Sequence, residues 1–156
     1  MTRILMIIAT AIVPLSAQAD PSYLDDRSSP SAVVESLYNA INSQQYLRAY
    51  SYFDPDRIGD YDSFKAGYAE TQSVTLRLGE PLTEGAAGTI YTQIPAVIEA
   101  VGTDGSTQVY AGCYLISAVS PGIQDVPPFL PIRIVSGTLA KTDRTFEAAT
   151  GSCPDY

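Results

Sequence analysis

Apolar and polar positions divide the chain into a helical first half and a β-rich second half. Val33, Val34, Leu37, Tyr38 and Ile41 fall at helical spacing behind Ser29-Pro30, a capping hydroxyl before a proline at the first helical position. A helix is therefore predicted from residue 30 to about Asn42-Ser43. A second, from Gln45 to Phe53, places Tyr46, Ala49, Tyr50 and Phe53 on one face before Asp54-Pro55 stops it. A third, from Phe64 to Thr71, has Asp62 or Ser63 as its cap and turns Phe64, Gly67 and Tyr68 inward.

From Ser73 the period falls to two. Val74-Thr75-Leu76-Arg77-Leu78 alternates until Gly79-Glu80-Pro81 breaks it. Thr89 to Val101 and Thr107 to Val119 are long β-branched runs joined by Thr103-Asp104-Gly105-Ser106, and the Asp-Gly step predicts a hairpin. Pro95 cannot donate to a ladder, so it belongs at an edge, a bulge or a bend of a curved sheet. Gly85-Ala86-Ala87-Gly88 reads as a hairpin connection and lacks the Lys and Ser/Thr of a phosphate loop. Pro121 to Pro128 reads as a loop, and Phe129 to Ala140 as a last strand with Ile132, Ile134 and Thr138 on one face.

The first nineteen residues have the three parts of an export signal: Arg3, an apolar run from Ile4 to Leu15, and Ala17-Gln18-Ala19 before Asp20. Cleavage after Ala19 would release a periplasmic or secreted chain with no membrane segment, since the apolar run is short of the roughly 20 residues that span a bilayer. Residues 20–29 are polar and without period, which predicts a flexible lead-in. The leader holds one basic residue, Arg3, and no acidic one, so 8 basic and 17 acidic side chains follow it, a net charge of −9. Nucleic acid and anionic lipid need clustered Lys and Arg and are excluded as partners on that ground.

Cys113 and Cys153, both beyond the leader, are the chain's two cysteines. In an oxidising compartment such a pair predicts a disulfide that tethers the tail, residues 141–156, to the sheet. There is no histidine, which removes Ser-His and Cys-His nucleophilic systems and most zinc and haem ligation; neither a metal nor a cofactor is called for. Tyr occurs 11 times against 4 Phe, and this excess is the compositional clue to function.

Helices first and then an antiparallel sheet with a long central hairpin is the order of the NTF2-like, cystatin-like α+β cone superfamily. The chain resembles it over residues 30–140. The likeness rests on Val33-Val34-Glu35-Ser36-Leu37-Tyr38-Asn39-Ala40-Ile41-Asn42 running into Gln45-Tyr46-Leu47-Arg48-Ala49-Tyr50, and on Phe64-Lys65-Ala66-Gly67-Tyr68-Ala69-Glu70-Thr71 before Ser73-Val74-Thr75. The resemblance implies N-terminal helices packed on a curved sheet with an open mouth. It implies no one activity, because the superfamily spans enzymes, transport factors and accessory domains.

In such a cone, tyrosines suit a cavity wall, each with an apolar ring and a hydroxyl tip. Tyr38, Tyr50, Tyr68, Tyr91, Tyr110 and Tyr114 are the candidates, against the plainer reading that they are core and rim. Tyr110, Gly112 and Tyr114 share a strand face, and Gly112 would leave a slot between two rings. No catalytic residue is assigned; a lyase or isomerase pairing Glu99 with a tyrosine is the alternative to a domain that binds a small amphipathic ligand or a protein partner as a monomer or homodimer. Asp54-x-Asp56 and Asp60-x-Asp62 lack the spacing of an EF-hand and read as capped turns rather than a calcium loop.

Overall fold

The computed structural model describes residues 22–154. The export signal expected over 1–19 lies outside the described residues. Three helices come first: α1 (Pro30–Asn42), α2 (Tyr46–Tyr50) and α3 (Tyr61–Ala66). Five strands follow: β1 (Thr71–Leu78), β2 (Leu82–Ala86), β3 (Thr89–Gly102), β4 (Thr107–Val119) and β5 (Ile132–Thr142). The fold is α+β, with the helices on one face of an antiparallel sheet ordered β1-β3-β4-β5.

α1 starts where Ser29 accepts a hydrogen bond from the Ala32 N–H at 3.2 Å, a cap worth about 1 kcal/mol. Its Val33, Val34, Leu37 and Ile41 pack in one core with Ile94 of β3, Ile116 of β4 and Ile134 of β5. Burying each such chain contributes about 1.5–3 kcal/mol, so this contact holds the sheet curled around α1. α3 begins one turn earlier than the apolar pattern predicts, because Asp60, not Asp62 or Ser63, caps it by accepting from the Ser63 N–H at 2.9 Å. α2 is shorter than its apolar pattern, and its continuation pairs with the edge of β5: the Asp54 N–H donates to Ile134 O and the Ile134 N–H to Tyr52 O, both at 2.8 Å.

β3 carries two partners in succession on one side, β2 along its first part and β1 along the rest. Pro95 stands where one gives way to the other. Its carbonyl accepts from the Gly79 N–H at 2.7 Å on that side, so the donor that proline lacks falls in the gap between β2 and β1. β2, which the polar sequence around Gly85 concealed, returns through Ala87-Gly88, both with positive φ (47° and 85°) as a tight hairpin turn requires.

In β5, Ser136 pairs with Leu115 and Ile134 with Ile116, leaving Val135 as a bulge. The bulge inverts the alternation, so Thr138 does not share the face of Ile132 and Ile134 as predicted. It pairs with Cys113 on the opposite face, while Gly137 and Leu139 stand across from Tyr114 and Gly112 on the helix side.

Residues 22–29 are not the free lead-in that their composition predicts. The Asp26 N–H donates to Ser36 Oγ at 2.8 Å, Ser36 Oγ donates to Asp26 O at 3.1 Å, and the Leu24 N–H donates to Asn39 Oδ1 at 3.0 Å. Arg27 lies 4.3 Å over the Tyr52 ring, and the Tyr52 hydroxyl donates to Asp25 at 2.8 Å. Polar pairing, not apolar burial, ties this segment to α1 and α2.

At the other end, the tail crosses the face of the sheet away from the helices. Cys113 and Cys153 form the predicted disulfide, with Cα atoms 4.9 Å apart. Val97, Val109 and Ala149 make a small second core there, and Arg77 donates to the carbonyls of Phe146 and Ala149 at 2.6 and 2.7 Å. Gly151 lies so close to the sheet that a Cβ would meet Ala96 N at 2.4 Å, which excludes any side chain at this crossing.

Candidate functional site

On β3 and β4, alternation assigns Ile94, Ala96, Ile98 and Ala100, with Tyr110 and Tyr114 opposite, to the helix side. α3 roofs one end of this concave face. Between them lies a cavity of about 370 Å³, lined by Phe64 and Tyr68 of α3 and its following turn, Val74 of β1, Ile98 of β3, Tyr110 of β4 and Leu139 of β5, among others. Its lining is largely apolar, with Ser63, Thr71 and the two tyrosines as its polar residues; no carboxylate and no basic side chain lines it. A second pocket, under the tail beside Arg77, is about 90 Å³ and too small for a ligand.

Of the six tyrosines, Tyr68 and Tyr110 therefore meet at one cavity. Tyr38 and Tyr114 lie deeper, each 4% exposed, with hydroxyls 2.5 Å apart and rings edge to face. Burial pushes both phenols well above their ordinary pKa, and the charge that Tyr68 would carry pushes both further. Burial likewise raises Tyr68. All three stay neutral donors across the physiological range.

The remaining two are elsewhere. Tyr50 packs edge to face with Tyr61 and Phe64, and its hydroxyl donates to Gly59 O at 2.6 Å, so it buttresses the outside of α3. Tyr91 is out of step with Ile94 along β3 and projects from the sheet face away from the helices. The slot expected at Gly112 is closed: a Cβ there would stand 1.9 Å from Thr138 O, because the β5 backbone occupies the space.

Glu99, out of step with Ile98 and Ala100, is also on the face away from the cavity. Asp54 accepts from the Asp56 N–H at 3.1 Å and sits 3.9 Å from Arg133; with Asp60 capping α3, these acids act as turn and cap residues. Among the described residues no group of acidic side chains and cysteines is placed to hold a metal ion. Sequence reasoning missed Tyr52, 1% exposed at the centre of the Asp25-Arg27-Arg48 cluster, because its partners are polar and set no period.

Two solved structures superpose on this architecture. One is a protein provisionally named a scytalone dehydratase from Novosphingobium aromaticivorans DSM 12444, with a TM-score of 0.54 and 8% identity over 74% of this chain and 83% of that one. The other, from Novosphingobium aromaticivorans DSM, is provisionally named an aromatic ring hydroxylase, with a TM-score of 0.53 and 14% identity over 72% of this chain and 90% of that one.

The chain has an NTF2-like fold. An NTF2-like protein of unknown function from Exiguobacterium sp. 255-15 aligns over 72% of this chain and 99% of its own, at 12% identity and a TM-score of 0.39. No protein-family model and no curated protein matches the sequence. At these identities the NTF2-like likeness describes a scaffold, and the chemistry must be read from the residues in the cavity.

Proposed function

We propose that this NTF2-like chain is an exported, non-enzymatic domain that holds a small amphipathic molecule in the cavity under α3. The observation that carries the reading is the cavity's make-up: about 370 Å³ with a largely apolar lining to which Tyr68 and Tyr110 both contribute. That volume lies in the range of small-molecule sites, and such walls select a ligand with an apolar body and one or two hydrogen-bonding groups. The disulfide and the lack of a membrane-spanning helix among the described residues are compatible with export.

The provisional enzyme names of the two fold neighbours are not carried over. Proton transfer by a lyase or isomerase needs a base within reach of the bound molecule. The chain has no histidine, Glu99 is on the wrong face, and no carboxylate lines the cavity.

Native mass spectrometry of protein recovered from its own exported fraction tests the reading, beside a denatured sample. A discrete additional mass lost on denaturation is expected, and Ala100→Phe, which fills the cavity, should remove it. A bare mass from the unaltered protein would refute retention of a ligand.

A further inference from the structure

β1 is an edge strand: its inner side pairs with β3 from Ser73 to Leu78, and among the described residues no strand lies beyond it. At Val74 the outer side is taken by a side chain. Asn42, the last residue of α1, donates from Nδ2 to Val74 O at 2.8 Å and accepts from the Val74 N–H at 2.7 Å. This reciprocal pair is what a residue of a neighbouring antiparallel strand would offer. The carboxamide thus reproduces one rung of a ladder and marks the direction in which β1 points its unpaired groups.

Backbone groups along a strand alternate between its two neighbours, and β1 is regular from Ser73 to Leu78. Leu76 and Leu78 are in step with Val74, so their N–H and C=O groups point outward too. Gly79, out of step, donates inward to Pro95 O, in agreement. Asn42 covers only the first of these rungs. Unprotected edges invite a further strand, and proteins blunt them with proline, charged side chains or a bulge. From Ser73 to Leu78 there is no proline and no bulge, and the one charged side chain, Arg77, is engaged with the tail on the opposite face of the sheet.

Beside this edge runs a groove of about 390 Å³, between Glu35, Tyr38, Asn39 and Asn42 of α1 and Val74, Leu76 and Leu78 of β1. A strand edge flanked by a helix is a geometry suited to an extended peptide: main-chain hydrogen bonds supply affinity and the helix flank reads alternate side chains. Glu35 is exposed and is the one charged side chain among those lining the groove. A peptide side chain facing it should be basic, which also suits a chain of net charge −9 beyond its leader.

We propose that the outer edge of β1, flanked by α1, binds an extended peptide with a basic residue opposite Glu35 and apolar residues along Leu76 and Leu78. The peptide adds to the sheet and continues the ladder that Asn42 begins. This groove shares only Val74 with the lining of the cavity under α3, and peptide addition at Leu76 and Leu78 does not require that cavity to hold a ligand.

The test uses the full exported chain, isotope-labelled, and the peptide acetyl-Lys-Thr-Val-Thr-Val-amide, in which Lys and both Val share a face. At about 1 mM peptide, the Leu76 and Leu78 amides should exchange with solvent at least about tenfold more slowly. Glu35→Lys should weaken binding about fivefold or more while leaving the fold intact, since Glu35 is exposed. Leu76→Pro removes an outward donor without touching the β3 ladder and should abolish binding; should that variant fail to fold, the exchange and Glu35→Lys measurements decide alone. Unchanged exchange at Leu76 and Leu78, protection confined to residues of the α3 cavity, or equal binding by Glu35→Lys would each overturn the proposal.

Discussion

The hydroxyls of Tyr38 on α1 and Tyr114 on β4 stand 2.5 Å apart in the core, 76 residues apart in sequence. Each phenol has one proton, and the pair shares one of the two between its oxygens. Replacing either ring by phenylalanine strands the other hydroxyl without this partner. Tyr38→Phe and Tyr114→Phe should each cost about 1–3 kcal/mol, while the double variant should cost clearly less than their sum, because no orphaned hydroxyl remains. Denaturant unfolding of the four proteins measures this, and strict additivity would mean the bond contributes nothing.

Tyr114 also needs the absence of a side chain on its neighbour strand. A Cβ on Gly137 would lie 2.5 Å from Cε1 of the Tyr114 ring, closer than carbon atoms approach. Gly137→Ala should therefore destabilise by about 1–3 kcal/mol through overpacking. In a Tyr114→Ala background the added methyl meets no ring, and the penalty should vanish. A penalty of the same size in both backgrounds would assign the effect to the backbone of β5 instead.

The elements that could be read from the sequence are those with a local signal. α1 was marked by Ser29-Pro30 and its apolar stripe, and the β3–β4 hairpin by Asp104-Gly105 between two β-branched runs. The errors have physical causes. The bulge at Val135 leaves no trace in composition yet moves Thr138 to the other face, and Asp60 took the cap because turn geometry, not the apolar pattern, selects the first residue of α3. For the site, Tyr91 was legible in principle, since it is out of step with Ile94 and Ile98, but the proline at 95 hides the alternation. The meeting of Tyr38 with Tyr114 was not, because nothing near either residue encodes a partner so far along the chain.

The pH response should differ at its two ends. At Asp25, burial alone would raise the carboxyl, but hydrogen bonds from Tyr52 and Arg27 and the charges of Arg27 and Arg48 outweigh it and hold the pKa below its usual value. A depressed carboxyl gives stability that is present above its unfolded pKa and lost as pH falls through the folded one. Asp25→Asn should flatten the acid limb of the stability curve and leave the neutral region with the same slope. At the alkaline end, Tyr38, Tyr68 and Tyr114 are raised above 10, so their contribution is complete below that pH and is lost as pH climbs past it. Phenolate absorbance should show these three ionising only together with unfolding; their independent titration in folded protein would contradict the burial argument.

The tail depends on two attachments of different kinds, and their coupling can be measured. The Cys113–Cys153 bridge closes a loop of 40 residues, for which the chain-entropy model gives about 4 kcal/mol. Arg77 holds the same tail by donating to Phe146 O and Ala149 O and by lying 5.3 Å from the centre of the Phe146 ring. With the bridge intact, residues 143–153 are held near Arg77 whether or not the guanidinium is present, so Arg77→Ala should cost about 1–2 kcal/mol, the value of its hydrogen bonds. Without the bridge, the second core of Val97, Val109 and Ala149 and the guanidinium contacts are all that oppose the entropy of releasing the tail. Cys153→Ser should then let the tail detach before the sheet unfolds, seen as rapid amide exchange and early proteolysis after residue 142. Once the tail is free, Arg77 has nothing left to hold. Arg77→Ala should consequently change the global unfolding of the Cys153→Ser protein by much less than it changes that of the bridged one. An equal effect in both would mean that the tail remains seated without its disulfide, and that packing on the back of the sheet, rather than the bridge, keeps it there.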